Sequence, residues 1–205
     1  MDEQDKRRVG EEIEPGGRPK APGRLDLLQR FINSYNHDLP REWDRLVSAE
    51  AAQRWLRQKR LVPSGEPVSE ADAARLRDLR EALREVALAN QGGDPRPAAR
   101  DRIRRASGGA ELTVAVDAGG RTALEPSRGG VDGAVATLLG ILHEAQLTGE
   151  WSRLKGCRSC GYAFYDRSRN RSAAWCDMSI CGNRTKNRTY RRRRARTSTF
   201  MTSAS

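Results

Sequence analysis

Four cysteines, Cys157, Cys160, Cys176 and Cys181, lie within 25 residues of a 205-residue chain that contains no others. Their order is Cys-x2-Cys, a spacer of 15 residues, then Cys-x4-Cys. This spacing lets two thiolate pairs from separate segments converge on one tetrahedral ion. A set made wholly of cysteine leaves no coordination position open, so one zinc ion held there is structural rather than catalytic. Gly161 follows the first pair and allows a sharp turn, and Gly182 stands in the matching place after the second. Between the pairs, residues 162–165 are strand-like, residues 166–170 turn-like, and Ala173-Ala174-Trp175 leads into the third ligand. So few aromatics cannot form a core alone, and metal binding has to supply the folding free energy, on the order of 10–16 kcal/mol in small fingers.

Three other readings of the cysteines compete: two disulfides, a thiol redox motif at Cys157-Arg158-Ser159-Cys160, and four inert buried thiols. The first twenty residues lack the apolar core of a signal peptide, so a reducing cytoplasm is the expected compartment and disulfides are disfavoured. Redox motifs of this type ride on a βαβ fold, which the sequence does not show. No stretch approaches the roughly 18 apolar residues of a membrane span, so no membrane partner is expected.

Charge separates the chain into two parts. Residues 151–205 hold 14 Lys and Arg against only Asp166 and Asp177, a net of +12, whereas residues 1–150 hold 24 against 25 acids, a net of −1. A nearly neutral body with a strongly basic end suits a protein whose terminal module contacts a polyanion. Beyond Cys181, no Pro or Gly interrupts residues 183–196, so a helix can start from the finger. Such a helix has no apolar face and becomes ordered mainly on an anionic partner. Its width fits the DNA major groove. Arg184, Lys186, Arg188, Arg191, Arg192, Arg193 and Arg194 are the expected contacts, with Tyr190 to stack or reach the backbone and Arg167, Arg169 and Arg171 from the finger loop. The plainer alternative is a solvated basic tail.

The expected architecture is α+β: a mostly helical N-terminal domain with one β-hairpin, then a small four-cysteine zinc finger and a basic C-terminal helix. Residues 1–23 and 197–205, rich in Gly, Pro, Ser and charge, are expected to be disordered; 24–150 form the helical domain and 151–196 the finger with its extension. Helices are predicted over 24–35, from an N-cap at Ser48 through Arg60, over 70–90 with Ser69 as cap and Asp72 at the third position, over 98–106, and over 131–148. Between the last two, Leu112, Val114 and Val116 alternate with smaller residues, and residues 121–124 return as the second strand after Ala118-Gly119-Gly120.

The segment from Cys157 to Arg194, with its Phe-Tyr-Asp, Ser-Arg-Asn and Trp-Cys elements and above all Cys181-Gly182-Asn183-Arg184, resembles the CGNR zinc-finger family. Residues from about Leu25 to Trp151 resemble the ABATE-type domain that accompanies it in bacterial stress-induced transcription regulators. The resemblance implies zinc at all four cysteines, a DNA-binding role for Arg184 and the basic residues after it, and the function of transcription regulator, leaving the body to dimerise or to sense a small-molecule effector. DNA is favoured over RNA as partner; an RNA-binding or ribosome-associated protein is the alternative, since short zinc modules with arginine tails also suit RNA. A pure protein-interaction finger is a further alternative. An enzyme is not expected: His37 falls in a turn, His143 in an apolar helix, and no phosphate-binding glycine loop is present.

Overall fold

The computed structural model describes residues 20–188 together with 190 and 191. The first 19 residues of the expected leader, the expected tail at 197–205, and Arg192, Arg193 and Arg194 lie outside these residues. Lys20–Gly23 are part of the described body, where Ala21 is buried and its N–H donates to Gln29 Oε1 at 2.8 Å.

Helices make up about half of the described residues, which also form two small antiparallel hairpins. In order, α1 (Leu25–Ile32), α2 (Ala49–Gln58), α3 (Glu70–Ala89) and α4 (Pro97–Ala106) precede the hairpin β1 (Leu112–Val116) and β2 (Thr122–Pro126), then α5 (Gly130–Leu147). The second hairpin pairs β3 (Leu154–Gly156) with β4 (Ala163–Tyr165), Leu154 opposite Tyr165 and Gly156 opposite Ala163. Local chemistry sets the helix starts. Ser48 Oγ accepts from Ala51 N at the head of α2, and Ser69 and Asp72 form a reciprocal capping box on α3. Strand β3 has no counterpart among the sequence expectations, because Leu154-Lys155-Gly156 is too short to show an alternation.

The core lies between α1, α2, α3 and α5. Leu28, Phe31, Leu56, Leu76, Leu79, Leu83 and Leu138 are essentially sealed from solvent, and the Phe31 and Trp55 rings meet at 5.6 Å. Removing an aliphatic side chain of this kind from water contributes about 1.5–3 kcal/mol before entropy is counted. Beneath it sits a buried ion pair in which Arg80 donates to both oxygens of Asp44, at 2.5 and 2.8 Å.

The same core continues into the second hairpin. Leu154, Ala163 and Tyr165 belong to it, whereas Tyr162 and Phe164, on the other face of β4, pack with the cysteines. Alternation along one strand thus joins the two units, since successive side chains point to opposite faces. Side-chain amides clamp the hairpin from both sides. Asn33, just past α1, donates to the carbonyl of Ala163 and accepts from its N–H, both at 2.8 Å. At the end of α3, Asn90 donates to the carbonyls of Trp151 and Leu154, and Gln91 donates to that of Gly156. Gly156 is required by closeness: a Cβ there would stand 3.0 Å from Leu88 Cα, backbone against backbone.

Candidate metal centre and nucleic-acid interface

The four cysteine sulfurs converge, all lying within 4.8 Å of one another. Cys160 and Cys176 are 3.5 Å apart, and Cys181 is 3.7 Å from each. A tetrahedron of sulfurs at the usual zinc–sulfur distance of about 2.3 Å has edges of roughly 3.8 Å. The cluster therefore fits a single zinc ion. It does not fit disulfides, whose sulfurs sit about 2.05 Å apart, and all four residues are free thiols.

The first knuckle is built by a tight turn in which Cys157 N donates to the carbonyl of Tyr162 and Gly161 N to the carbonyl of Cys157. Gly161 has φ of +73°, a left-handed conformation that costs a residue with Cβ about 1–2 kcal/mol. Ser159 N donates to Cys157 Sγ at 3.5 Å, stabilising thiolate character there. The second knuckle works differently. Asp177 Oδ1 accepts from Ile180 N, and the Asp177 carbonyl accepts from both Cys181 N and Gly182 N, giving a widened turn from Met178 to Gly182. Gly182 does not repeat the left-handed turn of Gly161. Its backbone is helical, and its small size makes room for Met178, whose sulfur would collide with an added Cβ.

The thiols restrain one another. Bonds from Cys160 and Cys176 hold the Cys157 thiol low, while the bond to Cys157 pushes Cys160 up to about 12 and drives Cys176 up as well. A divalent ion would let all four ionise together.

Directly after Cys181 the chain is helical over 183–188 and at 190 and 191. Thr185 Oγ1 donates back to the carbonyl of Cys181 at 2.9 Å, tying the helix to the last ligand. Arg184, Arg188 and Arg191 recur at helical spacing, and they are exposed, as are Lys186 and Tyr190 to differing degrees. Arg184, half-exposed, makes a 2.8 Å ion pair with Asp38 of the body. In the finger loop, Arg169 is exposed, Arg167 stacks 5.6 Å over Tyr165 and donates to the carbonyl of Lys20, and Arg171 (φ +50°) donates to Ser152 Oγ. The structure thus gathers Arg184, Lys186, Arg188 and Arg191 on one exposed helix, while Arg167 and Arg171 also brace the loop against the body.

Residues 25–149 match the ABATE family, described as "Putative stress-induced transcription regulator", and residues 153–194 match the CGNR zinc finger. The chain belongs to the ABATE family. Its second match coincides with the cysteine cluster and the basic helix, so this ABATE-family chain is a zinc-finger protein of a family of transcription regulators. A search of curated proteins gives no match. No helix among the described residues is long and apolar enough to cross a membrane.

Two groups that sequence reading passed over hold the finger in place. Arg84, largely buried on α3, donates to the carbonyl of Gly161 at the first knuckle, to those of Ile32, the last residue of α1, and Tyr35 beyond it, and to Glu81. Lys155 and Asp166 form a buried pair at 2.8 Å. Burial opposes the Asp166 charge, yet the bonds from Lys155 and Ser168 outweigh it and hold the carboxyl below its usual range. Asp166 also accepts from Ala173 N, which folds the loop 166–173 back toward Cys176. In sequence these residues look like ordinary surface charges; Lys155 and Asp166 stand 11 positions apart, and Arg84 is 77 positions from Gly161.

Proposed function

We propose that this chain is a DNA-binding transcription regulator in which zinc fixes the orientation of a cationic helix. The observation that carries the reading is that this helix begins at the last zinc ligand, with Arg184, Arg188 and Arg191 exposed on one side of it. Charge-assisted bonds from arginine to phosphate position such a helix, and bidentate bonds to guanine supply base selection. The metal keeps the arm in place and has no open site for chemistry, so the activity is binding rather than catalysis. The body holds the finger through Asn33, Arg84 and Gln91 and is free to dimerise or to receive a small effector.

Competition binding at fixed salt among duplex DNA, structured RNA and single strands tests the reading. Duplex DNA is expected to win, with log affinity falling against log salt at a slope of roughly −4 to −6, as contacts from Arg184, Arg188 and Arg191–Arg194 imply. RNA winning by a wide margin would replace the DNA reading with that of an RNA-binding zinc protein. A flat salt dependence would remove the basic helix from the account.

A further inference from the structure

The basic helix does not exhaust the organised positive charge. Helix α4 and its N-cap carry Arg96, Arg100, Arg102, Arg104 and Arg105 against Asp101 alone, within a body that is close to neutral. Ala99, Ile103 and Ala106 turn inward, and Arg102 reaches Asp78 at 2.8 Å. Arg96, Arg100 and Arg104 are left along the outer flank. Residues four apart on a helix rise about 6 Å per step, close enough to engage neighbouring phosphates of one strand.

Those three side chains are available. Arg96 is 78% and Arg104 83% exposed; the Arg104–Asp101 pair, 3.9 Å long and at the surface, contributes little and exchanges readily, whereas Arg96 bonds the largely buried Glu85 at 2.5 Å and presents the rest of its guanidinium outward. Arg100 is exposed and has no ion pair among the described residues. Of the acids nearby, Asp78 faces Arg102, Glu85 faces Arg96 and Asp101 faces Arg104, and with Asp94 they make four against the six arginines at 96, 100, 102, 104, 105 and 158. The net field on this flank is therefore positive.

The line of charge runs on into the finger. Arg96 and Arg158 border one open cleft of about 310 Å³, together with Gly92, Gly93 and Asp94. Arg158, inside the first cysteine pair, is held there by a 2.9 Å bond to the carbonyl of Gln91. The cations of α4 thus begin where the zinc knuckle ends.

We propose that the outer flank of α4, continued by Arg158, is a second contact for the phosphate backbone of the same DNA that the basic helix binds. The proposal rests on the nucleic-acid reading above and extends it: the body lies on the duplex with the finger rather than standing off from it. Arg96, Arg100, Arg104 and Arg158 position the protein without reading bases. Glu85 and Asp94, the two acids lining this cleft, weaken the contact.

The test uses the full-length, zinc-loaded protein and a duplex DNA of about three helical turns, long enough to cover both contacts. Arg100→Gln with Arg104→Gln, remote from core and metal, is compared with Arg188→Gln plus Arg191→Gln. The α4 double variant is expected to bind about 10-fold more weakly at low salt, with a slope shallower by about 2, while zinc content and thermal midpoint stay unchanged. Asp94→Asn is expected to tighten binding. If the α4 variant keeps wild-type affinity and slope while the basic-helix variant loses both, α4 is not a contact and the DNA reading stands. If wild-type protein itself fails to bind duplex DNA, both fall.

Discussion

Helical body and finger bury their residues by different means. The body encloses Phe31, Leu79, Leu83 and Leu138 between four helices, and a core of that size can offset the entropy of ordering the chain. The finger has little beyond Tyr162, Phe164 and the cysteines on its own side. Yet the finger is not uniform. Its first half, β3 and β4, shares the body's core and is clamped by Asn33, Asn90 and Gln91, whereas its second half, from Cys176 through the basic helix, depends on the metal and on short local bonds. The change from apolar burial to metal thus falls inside the finger, between the two faces of β4. The basic helix is therefore tied to the body through the cysteine cluster and through the Arg184–Asp38 ion pair.

Removing zinc, by chelation or by Cys176→Ser, separates these regions most sharply, because zinc binding in small fingers is worth on the order of 10–16 kcal/mol. Nucleic-acid binding should be lost, and hydrogen exchange should open residues 173–188 while β3, β4 and the helices stay protected. Unfolding of the body along with the finger would show that the two are one cooperative unit. Asp44→Ala strikes the body alone. It takes the two-point partner from the buried Arg80 guanidinium, which keeps only Glu81, and should cost about 3 kcal/mol in denaturant unfolding, with zinc stoichiometry still one. A smaller effect is expected at the junction. Gly156→Ala forces a Cβ against the Leu88 backbone and should lower stability by about 1–3 kcal/mol without loss of the metal. No change in thermal midpoint would mean that β3 does not lie so close to α3.

Much of the fold could be read from short-range patterns. Ser69 and Asp72 announce the start of α3 because capping is a matter of three neighbouring residues, and the spacing of leucines on α3 and α5 follows from 3.6 residues per turn. The four cysteines were legible for a similar reason: nothing else in the chain competes for them. Gly182 stands in the place that matches Gly161 but serves a different need, since sequence spacing cannot distinguish a glycine needed for its backbone angle from one needed for its size. Residues Arg84, Asn33 and Gln91 gave no signal. Asn33 and Gln91 lie just past helix ends and Arg84 within α3, and what matters is the carbonyl each meets 65 to 130 residues away.

The chain on its own determined the zinc ligands, the helices with their caps, the first hairpin, and the gathering of charge beyond Cys181. All of these rest on residues close in sequence, whose geometry is fixed by helix, strand and turn periods. Only the tertiary structure decided that β4 faces the core on one side and the cysteines on the other, that Arg84 bolts the knuckle to α3, and that the arginines of α4 adjoin Arg158. Those relations depend on how separate segments pack, and close packing admits one arrangement that local periodicity cannot specify.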